Sequence, residues 1–278
     1  MKRLATILLS LLPFGCSHAT RTPRAAAPGT PQLKLLTYNV NYGLAGDKPG
    51  LDAIDDADAD VVFLQETTSR WETAIRDRFG EKYPYMTFHE SPGAGGLAVL
   101  SRAPFEEKDY IASPTGWFPA LRVIVDSPLG KVQVLTVHLH PMVTDDGSFV
   151  RGYLSTGGLR TSEMGEYVKT LDPDLPTLVV GDFNENAKGG AVAILTERGF
   201  RTALPEFAPG AKTWHWNTSV GELRQQLDHV AYDTRLEPLD VRVMKEGRSD
   251  HDPVLATFVV RPDLESIPNA AKPRGSLD

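Results

Sequence analysis

The sequence predicts an α/β domain in which two mixed β-sheets pack face to face with helices on the outside. Three observations carry this. Runs rich in Val, Leu and Ile recur along the chain and are apolar on both faces or nearly so, the pattern of strands covered on each side. Amphipathic segments with apolar residues at helical spacing fall between some of these runs. The joints include tight turns as well as long crossovers, and a chain that uses both builds sheets with parallel and antiparallel neighbours.

Taken in chain order, LKLLTYNV (33–40) and DVVFLQ (60–65) are the first two strands. TTSRWETAIRDRF (67–79) follows as a helix, because Trp71, Ala74, Ile75 and Phe79 share one face. Ser69 and Glu72 in it have the spacing of a capping box. GLAVLS (96–101), ALRVIVD (120–126) and KVQVLTVHLH (131–140) are strands, the last two joined by SPLG as a hairpin. A helix is expected over 160–171, limited by Pro173. TLVVGDF (177–183) is a strand, and KGGAVAILTERG (188–199) is a helix with Ala191, Ile194 and Leu195 on one face and Gly199 able to end it. DHVAY (228–232) and VLATFVV (254–260) complete the set.

The ends of the chain read differently. MKR, the apolar run LATILLSLL and then GCS have the layout of a bacterial export signal, and the run is too short to span a bilayer. Cys16, the one cysteine of the chain, stands where a lipidated cysteine would stand, although Pro13 and Phe14 depart from the usual box. Residues 1–16 are therefore expected to be a signal of lipoprotein type, with a lipid anchor on Cys16 as the membrane contact. Residues 17–32 read as a flexible linker, 33–261 as one domain and 262–278 as a disordered tail. The expected product is an exported monomer, membrane-anchored or free in the periplasm or outside the cell. A single cysteine excludes an internal disulfide. The formal net charge of −7 speaks against tight non-specific binding to nucleic acid, although carboxylates that hold a divalent cation are neutralised by it.

Polar residues collect where the strands end. Asn39 and Asn41 follow the first strand, Glu66 the second, and His138 and His140 close the fifth. Asp182 and Asn184 end LVVGDFN, Asp228 and His229 open DHVAY, and Asp250 and His251 precede the last strand. Ligand crevices of α/β sheets lie at strand ends. Mg²⁺, with Mn²⁺ as a substitute, takes oxygen ligands, usually one or two carboxylates with water and phosphate oxygens. Glu66 is the first choice for a direct ligand, with Asn39 and Asp250 completing or supporting the shell. The lack of cysteine in the fold and of paired histidines argues against zinc.

Phosphoryl transfer needs a positioned water, a base and positive charge near the phosphate oxygens. His251 is assigned as the base and Asp228 as the group that orients it. Asp182 and Asn184 are expected to hold the water or the leaving oxygen, and His138 to donate to a non-bridging phosphate oxygen. Arg160 is the first choice among the arginines for a substrate phosphate. In TWHWN (213–217), Trp214 or Trp216 could stack on a base, pack against a lipid chain or belong to the core, and Trp214 is taken as the substrate contact. His229 is expected to face away from the site as a structural residue, by strand alternation from Asp228. His140 is expected at the surface, and Asn41 either in the metal shell or capping a loop. The sequence contains no G-x-S-x-G elbow, which sets a serine hydrolase of that type aside.

The motifs TYNV, LQE, VHL, GDFN, LDHV and SDHDPV, in this order across residues 33–260, resemble the endonuclease/exonuclease/phosphatase superfamily. That group includes DNase I-like enzymes, AP endonucleases, bacterial sphingomyelinases and inositol polyphosphate 5-phosphatases. The resemblance implies a four-layer αββα sandwich and a Mg²⁺-dependent phosphodiesterase. It places metal binding on Asn39 and Glu66, and nucleophile and phosphate positioning on Asp182 and Asn184. It puts metal and base positions on Asp250 and His251, with Asp228 orienting His251 and His138 touching phosphate. Many members carry Arg and then Gln three residues later; here the pair is Arg160 and Glu163. The expected substrate is a phosphodiester in nucleic acid, a phospholipid or a small phosphoester. An endonuclease-like activity comes first, with sphingomyelinase-like or inositol-phosphate phosphatase activity as alternatives. An inactive member serving as an envelope binding module is a remote alternative.

Overall fold

The computed structural model describes residues 20–142, 151–152, 155–218 and 221–261. The expected signal with Cys16, and the expected tail, lie outside the described residues. With strands numbered in chain order, one six-stranded sheet runs β13 (Leu236–Val243), β14 (Val254–Val260), β1 (Leu33–Asn39), β2 (Val61–Gln65), β4 (Leu97–Ser101) and β3 (Tyr85–His89). The other runs β5 (Phe105–Ile111), β6 (Ala120–Ser127), β7 (Gly130–His138), β8 (Thr177–Asp182), β12 (Asp228–Tyr232) and β9 (Arg201–Thr202). A two-stranded ribbon, β10 (Trp214–Thr218) with β11 (Gly221–Gln225), stands apart from both. Both large sheets are mixed, as expected: β1 pairs β2 in parallel, β7 pairs β8 in parallel, and the other neighbours are antiparallel.

Each parallel pair needs a crossover, and each crossover carries a helix. Helix α1 (Lys48–Ala57) joins β1 to β2, and α3 (Gly157–Tyr167) lies between β7 and β8. Helix α2 (Ser69–Phe79) follows β2, and α4 (Gly190–Glu197) and the short α5 (Ala203–Phe207) follow β8. Strand alternation then explains the doubly apolar runs. Leu35, Phe63, Val134 and Val180 point into the core between the sheets. Their neighbours Leu36, Val62 and Leu64 point outward against Ile54 of α1 and Trp71, Ile75 and Phe79 of α2. On the other side Leu135, Val137 and Val179 meet Met164 and Tyr167 of α3 and Val192 and Leu195 of α4. The result is four layers in the order α, β, β, α. No helix among the described residues is long and apolar enough to cross a membrane.

The eight expected strands are all present, and the SPLG hairpin closes through Ser127 paired with Gly130. Strands β3, β5, β9 and β13 were not anticipated; β3, β5, β9 and β13 sit at sheet edges, where one side meets water and the apolar signal thins. Helix α1 was also missed: KPGLDAIDDA buries only Leu51, Ile54 and small residues, and its signal lies in the Asp47 cap, which accepts from the Gly50 N–H. The cap of α2 is Thr68, whose hydroxyl accepts from the Trp71 N–H at 3.3 Å, rather than Ser69. The expected linker is only partly free. Residues 20–32 form no helix or strand, but Arg21 N donates to Glu206 O and Arg24 N to Leu239 O. Arg21 also bridges Glu206 and Glu237, and Arg24 reaches Glu237, so ion pairs and backbone bonds lay this segment along the domain edge.

Candidate active site

The C-terminal ends of β1 and β2 lie side by side in one sheet, with Asn39 paired to Gln65, and those of β7 and β8 in the other, with His138 paired to Asp182. Strand β12 starts beside them, Asp228 opposite Asp182. Side-chain bonds close the gap between the sheets: Asn39 Nδ2 donates to Glu66 Oε1 at 2.9 Å and to Asp182 Oδ2 at 3.2 Å. The backbone is bent to make this possible. Glu66, Asn184 and Asn41 have φ of 63°, 49° and 61°, a left-handed region that is costly for non-glycine residues and gathers at functional sites. Gly181, immediately before Asp182, has φ 131°, and a Cβ there would lie 2.0 Å from Val137 O.

His251, the expected base, lies against Asp228, its expected orienter. His251 Nδ1 lies 2.9 Å from Asp228 Oδ2, and because a carboxylate only accepts, Nδ1 carries the proton. Nε2 then faces the cleft, 3.4 Å from Asp182 Oδ2. Burial works against charging this ring, but Asp228, Asp182 and Asp250 outweigh it and push its pKa up to about 10. Burial also raises the Asp182 pKa, while the His251 charge opposes the rise. Ser249 locks the approach: its hydroxyl donates to Asn39 O at 2.8 Å and accepts from the His251 N–H at 3.1 Å.

His138 meets the expected place but not the expected proton. Its Nδ1 lies 3.2 Å from Ala94 O, so Nδ1 is the protonated nitrogen, and Nε2 is bare in the neutral ring, 3.5 Å from Asp182 Oδ2. Burial holds its pKa down to about 4. The ring can donate to a phosphate oxygen only as imidazolium. Phe118 stacks on it, centroids 4.1 Å apart. Asn184 is fixed by donating from Nδ2 to Leu139 O at 3.0 Å, while its N–H donates to Asp182 Oδ1 at 2.8 Å.

The expected metal side chains are together. Glu66 accepts from Asn39 and from the Tyr42 N–H at 3.1 Å, and burial raises its pKa. Asp250 accepts from Asn41 Nδ2 at 2.8 Å and from Trp214 Nε1 at 3.1 Å; burial opposes its charge, but His251 and these bonds hold its pKa low. Asn41 thus bonds Asp250, one of the expected metal residues, and its Oδ1 caps the turn at Gly43. These are hard oxygen donors, and the desolvated Glu66 and Asp182 anions would be relieved by a cation, so the set fits a divalent ion. Asp182, Asp228 and His251 form a second candidate group, with potential ligand atoms within 4.8 Å of one another. The direct His251–Asp228 bond favours a proton-handling role for that trio.

A cleft of about 330 Å³ opens over these groups. Glu66, His138, Asp182, Asn184, Asp250 and His251 line its polar side, and Ala94, Trp117, Phe118, Pro141, Met142, Trp214 and Trp216 its apolar side. Among the described residues no Lys or Arg lines it. Two expectations need correction, those for Arg160 and His140. Arg160 does not line the cleft: it is 4 % exposed, and its guanidinium donates to His140 O and Thr156 Oγ1 and faces Glu185. Trp214 does reach the cleft, but its indole N–H is committed to Asp250, and Trp216, at 44 % exposed, offers more open ring surface. His140 is buried rather than superficial, under the Trp117 ring at 4.5 Å. His229 faces away, as expected, donating from Nε2 to Glu185 O at 2.8 Å, with its pKa lowered by burial to about 4. Trp117 and Phe118 were missed as cleft residues; only the fold of their loop onto His138 and His140 brings them in.

The family model for the Endonuclease/Exonuclease/phosphatase family matches residues 36–251. No curated protein matches. Solved structures share the fold at low identity. An endonuclease/exonuclease/phosphatase from Beutenbergia cavernae is 18 % identical with a TM-score of 0.63, covering 83 % of this chain and 72 % of that one. D. rerio TDP2 complexed with single strand DNA product is 20 % identical with a TM-score of 0.65, covering 82 % and 98 %. The human Nocturnin catalytic domain with bound sulfate anion is 16 % identical with a TM-score of 0.64, covering 84 % and 96 %.

Proposed function

This chain belongs to the endonuclease/exonuclease/phosphatase family, a group of hydrolytic phosphoesterase and nuclease type, and on that premise we propose that it hydrolyses phosphodiesters with the help of Mg²⁺ or Mn²⁺. The observation that carries the reading is the His251–Asp228 pair, with Nε2 turned to the cleft floor beside Asp182. Glu66, with Asn39 and Asp250 beside it, would hold the cation. When bound, the cation supplies positive charge against the phosphate oxygens and the clustered carboxylates. With those carboxylates offset, His251 falls back towards its ordinary proton affinity and can act through Nε2.

Asp182 and Asn184 hold the attacking water in line with the phosphorus. His251 Nε2 takes the water proton as the new P–O bond forms, while Nδ1–H stays on Asp228 and stabilises the imidazolium. The bond to the leaving oxygen breaks, and the proton passes from Nε2 towards that oxygen or solvent. His138, protonated against the incoming anion, donates from Nε2 to a non-bridging oxygen. The export-type start with Cys16 supports an exported, lipid-anchored enzyme.

Nucleic acid is the first substrate reading, supported by the likeness to TDP2 complexed with single strand DNA product. A second reading has its own observation. The cleft carries seven apolar or aromatic residues and, among the described residues, no Lys or Arg, which favours a single phosphodiester bearing an apolar group, as in sphingomyelin. The test assays the purified protein with Mg²⁺, Mn²⁺ or EDTA on plasmid DNA, abasic duplex, RNA, sphingomyelin, inositol phosphates and a chromogenic phosphodiester. Cation-dependent turnover that disappears in His251→Ala is expected. No turnover of any of these, or equal turnover by the variant, would overturn the proposal.

A further inference from the structure

Helix α3 sends two side chains, one helical turn apart, to the same residue. Arg160 Nη1 donates to His140 O at 3.2 Å, and the His140 N–H donates to Glu163 Oε2 at 2.7 Å. Residues three apart on a helix share a face, so the pair closes on both backbone groups of His140. The other oxygen of Glu163 is equally engaged. Oε1 accepts from Ser113 Oγ at 2.8 Å and from the Thr115 hydroxyl. Glu163 is fully buried.

These contacts converge on the cleft. The His140 segment continues β7, and one residue earlier Leu139 O accepts from Asn184 and Leu139 N donates to Asp182 O. The Ser113–Thr115 turn leads into Trp117 and Phe118, which cover His140 and His138. Tyr167, also on α3, donates to Phe118 O at 2.7 Å. One buried carboxylate thus ties the strand below the His138 ring to the loop above it. A carboxylate suits the place because all three partners are donors and it only accepts.

We propose that Glu163 is a positioning residue: it sets the His138 ring and the Trp117–Phe118 wall, and touches neither substrate nor cation. As a statement about catalysis this rests on the phosphodiesterase reading; as a statement about His138 it does not. Glutamine can take the same place, its carbonyl accepting from His140 and its amide donating to the two hydroxyl oxygens, whereas alanine strands all three donors.

The experiment compares Glu163→Ala, Glu163→Gln and the double variant Ser113→Ala/Thr115→Val, each alone and combined with His138→Ala. Turnover of a chromogenic aryl phosphodiester with Mn²⁺ is measured beside ¹⁵N ring signals of the histidines in the purified, cation-free protein. Glu163→Ala should lower kcat/KM by about 10- to 100-fold, the usual scale for a supporting partner. That effect should shrink to less than about threefold in the His138→Ala background, as coupled positions require. Glu163→Gln should recover most of the rate, and the His138 ring signals should move in Glu163→Ala and return in Glu163→Gln. If Glu163→Ala does not fold, Ser113→Ala/Thr115→Val gives the same test from the loop side, with a smaller loss that again depends on His138. Equal losses with and without His138, or unmoved His138 signals, would overturn the proposal. If the wild type turns over no phosphodiester but the ring signals move as stated, the positioning role holds and only the functional reading fails.

Discussion

Asn39 and Asp182 come from different sheets and stand 143 positions apart in the chain, yet Asn39 Nδ2 donates to Asp182 Oδ2 at 3.2 Å. The same nitrogen serves the half-buried Glu66, so one amide holds two carboxylates in place across the sandwich. Asn39→Ala leaves both oxygens without that donor. It should cost about 1–3 kcal/mol of stability in the cation-free protein. It should also weaken Mn²⁺ binding by about 10- to 100-fold, read by calorimetry and by the loss of cation-induced thermal stabilisation.

His251→Ala and Asp182→Ala should each lower kcat by at least about 100-fold, the scale of a general base, with smaller changes in KM. Asp228→Asn tests the orienting role separately. An amide beside Nδ1 can donate to it, which would move the ring proton to Nε2 and block the base. The loss should therefore match that of His251→Ala; a much milder loss would show that Asp228 does not set the tautomer.

Stability should depend on pH in two opposite ways in the cation-free protein. The folded pKa of His251 is raised, to about 10 from an ordinary 6.5, so its stabilisation is full below 6.5 and is lost as pH rises through 10. The difference in unfolding free energy between wild type and His251→Ala should shrink across that window. His138 and His229 are lowered to about 4, so folding favours their neutral forms and stability drains as pH falls from 6.5 to 4. The limiting slope is about 1.4 kcal/mol per pH unit for each such histidine. Urea unfolding in EDTA from pH 4 to 10.5 reads both.

Gly181→Ala should damage the fold rather than the chemistry alone. A methyl group would meet Val137 O at 2.0 Å at a φ of 131°, near the C-terminal end of the β7–β8 pair. A loss of about 3 kcal/mol or more is expected, seen as a lower urea midpoint.

Much of this was legible beforehand. The doubly apolar runs gave eight strands because each had a sheet on one side and helices on the other. The edge strands were not legible, since LEPLDVRV and FEEKDYI expose one face and lose the signal. The polar strand ends named the site, because a carboxylate such as Asp182 stands at the end of an apolar run only where something else compensates for its burial.

The local pattern of the sequence determined which residues stand at the ends of which strands, and with that the chemistry available. Tertiary structure alone decided the use of each. Arg160 could have faced phosphate, and Trp117 and Phe118 could have faced solvent. Packing of α3 against the β7 exit turned the arginine inward and laid the two aromatic rings over His140 and His138. Alternation along a strand or helix fixes a side chain's direction relative to its own backbone, whereas its neighbours depend on how separate elements settle against each other, which no short-range pattern encodes.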